Sequence, residues 1–166
     1  MLVVRPPAEG TAEAGGNIGK ILIPLDGSAL AASVLPFAAD LAKLLGATIS
    51  LFHAVAEPVA LYPGAEAIFD ANVQKEVEAG ARKHLASAAQ RLVEQGVPAN
   101  FVTNFGNTVD GIVWASEREK ADLIVMSTHG RSGIGRLVLG SVADGVVRRA
   151  CLPVILVRPR DEKEIN

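Results

Sequence analysis

The chain is short of the features that mark several common protein classes. It has one cysteine, Cys151, in 166 residues, so no intrachain disulfide can form and a reducing compartment is expected. Cys151 precedes Pro153 just beyond a predicted helix, and His53, His84 and His129 are not spaced to pair with it. It reads as a packed small residue and not a nucleophile. Charge of one sign is not in excess either: 16 basic against 18 acidic residues leave a formal −2, which gives no electrostatic case for nucleic acid or an anionic membrane. No apolar run approaches the roughly 18 residues of a membrane helix. The opening MLVVRPPAEG turns to charge and prolines too soon for a signal peptide, so a cytoplasmic location is expected. Catalytic signatures are missing as well. There is no G-x-S-x-G elbow, no HExxH and no Walker A, and no residue is placed to activate water. Fast catalysis is not expected.

What is present points to one globular domain. Apolar residues make up 49% of the chain and charged ones 20%, at a length that allows an adequate core. Residues 1–19, rich in Gly, Ala, Pro and Glu, read as a flexible extension in which Leu2 to Arg5 could dock. Residues 20–160 read as the domain and 161–166 as a polar tail. Five short runs, 20–25, 47–55, 100–105, 123–126 and 153–157, read as strands. The first is apolar without alternation, so it is expected to be buried on both faces, as in a parallel sheet covered by helices. Helices are expected between them. The first spans 29–45, is bent by Pro36, carries an apolar stripe of Leu30, Val34, Phe37, Leu41 and Leu45, and stops at Gly46. The second spans 67–95, with Phe69, Val73, Val77, Ala81, Leu85, Ala88 and Leu92 facing the core. The third spans 108–120 and the last 142–149.

The most informative stretch is 126–142, MSTHGRSGIGRLVLGSV. It runs from a buried strand through Gly130, Gly133, Gly135 and Gly140 to a helix start, with Ser141 as expected N-cap and Asp144 as its capping-box partner. Strand, glycine-rich loop and helix N-terminus together make an anion site, because glycines let backbone approach and the first helical amides point at the charge. Arg131 and Arg136 are candidate phosphate partners, or surface charges on a solvated loop. His129 could donate to phosphate or brace the turn. Asp26, directly after the first strand, could bind a ligand hydroxyl or amine; it could equally form an Asx turn or compete with Ser28 to cap the first helix.

The spacing Ser127-x2-Gly130-x9-Gly140-Ser141 resembles the G-x2-G-x9-G-[ST] signature of nucleotide-binding universal stress proteins, with serine in place of the first glycine. The likeness extends from about Lys20 to Arg158. It implies a Rossmann-like α/β fold with an open five-stranded parallel sheet of order 3-2-1-4-5 and helices on both faces. In such sheets ligands bind where the winding reverses, here between the first and fourth strands. The resemblance therefore implies an ATP site built from Pro24, Leu25, Asp26, Ala54, Met126, Ser127, His129, Gly130, Arg131, Gly140, Ser141, Val142 and Ala143, with magnesium a candidate companion. It also implies a homodimer paired through Val154, Ile155, Leu156 and Val157. The alternative for that apolar edge is cover by the chain's own Leu2-Val3-Val4. Three functions compete: a nucleotide-binding stress-response regulator, a dimeric interaction module that binds no nucleotide, and a slow magnesium-dependent ATPase.

Overall fold

The computed structural model describes residues 2–3, 17–56, 71–128 and 140–158, with backbone alone for 2, 3, 71 and 72. In chain order these form β1 (Leu2–Val3), β2 (Lys20–Pro24), α1 (Ala29–Ala32), α2 (Leu35–Leu45), β3 (Thr48–Val55), α3 (Ala71–Glu94), β4 (Ala99–Phe105), α4 (Thr108–Arg118), β5 (Leu123–Ser127), α5 (Ser141–Arg149) and β6 (Val154–Val157). The sheet order is β1-β6-β5-β2-β3-β4. All neighbours from β4 to β6 are parallel, which is the expected five-stranded 3-2-1-4-5 sheet. A sixth strand adds to it. β1 pairs antiparallel with β6, Leu2 opposite Ile155 and Val3 opposite Val154.

The central strands β2, β3 and β5 lack alternation because each face of the sheet has its own core, whereas β4 is only partly buried and β6 alternates buried with half-buried residues. Ile21 and Ile23 pack with Ala38, Ala39 and Ala42 of α2 and with Leu85, Ala88 and Leu92 of α3. Leu22, between them, packs on the other side with Phe52 and Ile124 against Ile112 and Ala115 of α4 and Ala143 and Val146 of α5. Period-two side chains with both sides covered must read as a continuous apolar run.

The first predicted helix is in fact two. Ser33 closes α1 with its N–H on the carbonyls of Ala29 and Leu30, and α2 begins at Leu35 with Pro36 in its first turn. A proline lacks the N–H that would bond the Ala32 carbonyl, so a break replaces the expected bend. The stripe holds in part: Val34 is fully buried and Leu41 and Leu45 pack against the core, while Leu30 and Phe37 are exposed and alanines 38, 39 and 42 are buried in their stead. Small side chains let α2 lie close to the sheet, and the larger ones move to its flanks. Gly46 ends α2 in the left-handed conformation, φ 66°, as expected of a C-terminal glycine.

The second predicted helix begins within 57–70, outside the described residues, and Phe69 lies there. Within α3, Leu85, Ala88 and Leu92 are buried as expected, but Val73 and Val77 are exposed. A helix of 24 residues is about 36 Å long and outruns the seven residues of β4, so its first turns extend past the sheet. Cys151 is exposed and not packed. At the amino ends of the strands, buried Ser50 is satisfied by Glu119, whose Oε2 accepts from Ser50 Oγ at 3.2 Å and from Asn100 Nδ2 at 3.0 Å. Among the described residues no helix is long and apolar enough to cross a membrane.

Candidate functional site

The winding reverses between β2 and β5, and the site is built at their carboxyl ends. Ile21 pairs with Leu123 and Leu22 with Ile124, so continuing that register brings Pro24, Leu25 and Asp26 level with Met126, Ser127 and Thr128. Pro24 pairs with Phe52 on the other side, which puts Ala54 on the same level as Asp26. Leu25 prolongs that pairing, its N–H donating to the Phe52 carbonyl at 2.8 Å. The chain leaves the sheet at Asp26 because its carboxylate captures the next turn: Oδ1 accepts from Ser28 N at 2.9 Å and from Ser28 Oγ at 2.6 Å. Ser28 Oγ in turn accepts from Ala31 N at 3.1 Å and caps α1. Both local roles weighed for this pair are thus in use, with Ser28 as the cap and Asp26 as the Asx turn.

His53, half-buried on β3, donates its Nδ1–H to the Leu25 carbonyl at 2.7 Å. A carbonyl can only accept, so this contact puts the proton on Nδ1. Across the crevice, Ser127 and Thr128 are buried. Thr128 N–H donates to the Val157 carbonyl at 3.1 Å, and its own carbonyl accepts from Gly140 N–H at 3.0 Å. The chain thus leaves β5 at Thr128 and returns to the same residue at Gly140. His129, Gly130, Arg131 and Arg136, expected in this loop, lie outside the described residues.

The helix start differs from expectation. Gly140, not Ser141, is the N-cap, in an extended conformation with φ −59° and ψ 148°, and as a glycine it offers no side chain to cap α5. Ser141 is the first helical residue, one position too late to cap. With the cap at Gly140 the third helical residue is Ala143, so a capping box cannot form. Asp144 instead closes the first turn through its N–H on the Gly140 carbonyl, at 2.9 Å, and its carboxylate accepts from Arg148 Nε at 2.9 Å. That hydrogen bond, and then the charge of Asp144, raises the Arg148 guanidinium above its ordinary pKa.

Elsewhere at the same end of the sheet, α1 is capped by Ser28 and α4 by Asn107, whose Oδ1 accepts from Val109 N and Asp110 N. Among the described residues the first-turn amides of α5 have no such side chain. They project from the helix end, together with the positive end of its dipole. The helix is fixed in direction by α4: a Cβ on Gly145 would lie 2.9 Å from Val109 Cγ2, and Arg149 pairs with Asp110. Chemically this is a place to hold an anion. Among the described residues no group of three or more His, Cys, Asp or Glu side chains could hold a metal ion. A hollow of about 400 Å³ opens elsewhere, between α3 and β4, lined mainly by Ala86, Ala89, Val93 and Phe101, and carries no ionisable group.

The structure therefore brings Pro24, Leu25, Asp26, Ala54, Met126, Ser127, Gly140, Ser141, Val142 and Ala143 to one end of the sheet. Thr128, which sequence reasoning passed over, lies beside them and joins strand, edge and helix through its backbone, which no side-chain motif could announce. His53, expected as a partly buried histidine, is one, but its bond to Leu25 needed the pairing of β2 with β3 to be known.

Residues 17–158 match the model of the Universal stress protein family. A universal stress protein of Thermus aquaticus is 36% identical over 139 residues, 83% of this chain and 97% of that one. One from Methanocaldococcus jannaschii is 32% identical over 153 residues, covering 86% and 84%. Among solved structures, the universal stress protein of Archaeoglobus fulgidus in complex with dAMP superposes with a TM-score of 0.61 at 24% identity, covering 85% of this chain and 98% of that one.

Proposed function

The chain belongs to the universal stress protein family, and on that premise we propose that it binds ATP at the switch point between β2 and β5 and acts as a cytoplasmic, homodimeric stress-response regulator. One observation carries the reading. The uncapped start of α5 is held against the end of β5 by the Gly140–Thr128 hydrogen bond, level with Asp26 on the neighbouring strand. Polyphosphate would lie on the amides of Ser141, Val142 and Ala143. His129, Gly130 and Arg131 are further proposed contacts of the nucleotide. Ribose and base would run towards Asp26, Ala54 and the strand ends at Pro24, Leu25, Met126 and Ser127. The dAMP complex of the Archaeoglobus protein supports an adenine nucleotide as the ligand class.

Ser127, buried where the family signature has glycine, favours a second reading, in which the crevice is too crowded for ribose and the protein works as an interaction module alone. Thermal unfolding against a panel of ATP, ADP, AMP and cyclic nucleotides separates the two. A ligand that binds only the native state stabilises it by about 2.7 kcal/mol at a hundred times its Kd. An unfolding temperature unmoved by every nucleotide removes the first reading. Phosphate release in the presence of magnesium, with wild type and Asp26→Ala compared, decides whether the complex turns over.

A further inference from the structure

The outer edge of β6 is an apolar strand, Val154-Ile155-Leu156-Val157, and an uncovered edge of this kind recruits other strands. Here β1 pairs with it over Val154 and Ile155. Three features make β1 a stand-in for a second copy of β6. It runs antiparallel to β6, the direction that a two-fold axis perpendicular to the strands imposes on a copy. It places Leu2 opposite Ile155 and Val3 opposite Val154; a copy centred between residues 155 and 156 would place Leu156 and Val157 at those same positions. The dipeptide is Leu-Val in both cases. β1 also covers two residues of an edge that offers four.

Chain length alone does not tie β1 to its place: the 16 residues from 4 to 19 would span at most about 55 Å. The three strand spacings from β1 to β2 need only about 14 Å.

We propose that β1 and a second copy of this chain compete for the same edge of β6, so that the N-terminal strand holds the protein back from pairing and sets its monomer–dimer balance. This rests on the homodimer of the proposed function. Val3→Pro tests it, because proline removes the N–H and restricts the backbone of β1 without altering the domain. Sedimentation of the full chain over a hundredfold range of concentration should show the dimer favoured by roughly tenfold in Val3→Pro, which is what losing one or two backbone hydrogen bonds is worth. Adding Val157→Lys, a charge on the edge itself, should abolish that gain.

A wild type and Val3→Pro that are equally dimeric overturn the competition and leave the homodimer standing. Both remaining monomeric overturns the homodimer with it. A gain that survives Val157→Lys places association on another surface and also overturns the proposal. Nucleotide-induced thermal shift on the same samples reports on the switch-point site separately.

Discussion

Asp26 ends β2 with its Oδ1 already accepting two hydrogen bonds from Ser28. A residue proposed for ligand contact is thus also holding the turn that aims α1, and substitution should separate the two roles. Asp26→Asn keeps an acceptor for Ser28 N–H and should cost little stability. Asp26→Ala removes it and should cost about 1 kcal/mol in denaturant unfolding. If the negative charge itself meets the ribose or base, both variants lose nucleotide affinity alike, as calorimetric titration would reveal. Gly140 allows an opposed pair of effects. Its φ and ψ suit an N-cap side chain, so Gly140→Asp should stabilise the fold by a few tenths of a kcal/mol by capping α5. The same carboxylate would occupy the amides and repel phosphate, so the ATP-induced thermal shift should vanish. A stabilised variant that still binds ATP would show that the amides of α5 are not the phosphate site. At this scale the sequence was a partial guide. Asp26 and Ser28 were legible as an Asx turn and cap because those bonds are local. Ser141 was misread as the cap because serine is the commoner choice, whereas the chain turns one residue earlier, where Gly140 meets Thr128.

At the scale of the elements, helices are held against the sheet by close approach more than by bulk. A Cβ on Gly111 of α4 would come within 2.8 Å of Phe52 Cζ, in a fully buried ring. Gly111→Ala should therefore lower stability by about 1–3 kcal/mol despite alanine's better helix propensity. Gly80 of α3 is exposed, and a Cβ there meets nothing within 4 Å. Gly80→Ala should raise stability by about 0.5–1 kcal/mol. Equal signs from the two variants in thermal or urea unfolding would refute this account of the packing. Strand positions were readable from the sequence because burial on both faces leaves a plain apolar run. Helix faces were less so. Periodicity favoured Leu30 and Phe37, but contact with a flat sheet selected Ala38, Ala39 and Ala42, since small side chains permit the closer approach.

Across the whole molecule, the order of five parallel strands came from the family resemblance. The antiparallel sixth strand was legible only as the alternative cover of the edge by Leu2-Val3-Val4, because a two-residue pairing 150 residues apart has no periodic trace. The backbone of Thr128 joins both ends of the chain's organisation: its amide leans on Val157 of the edge strand, and its carbonyl holds Gly140 at the head of α5. One peptide residue is thus a rivet through three parts. Anything that stiffens the head of α5 should tighten that rivet, so on adding ATP the amides of Thr128 and Gly140 should exchange with deuterium more slowly, while those of Gly80 and its neighbours in α3 keep their rate. By reciprocity, a mate on the outer strand that steadies Val157 should raise nucleotide affinity by the same factor by which nucleotide favours the mate.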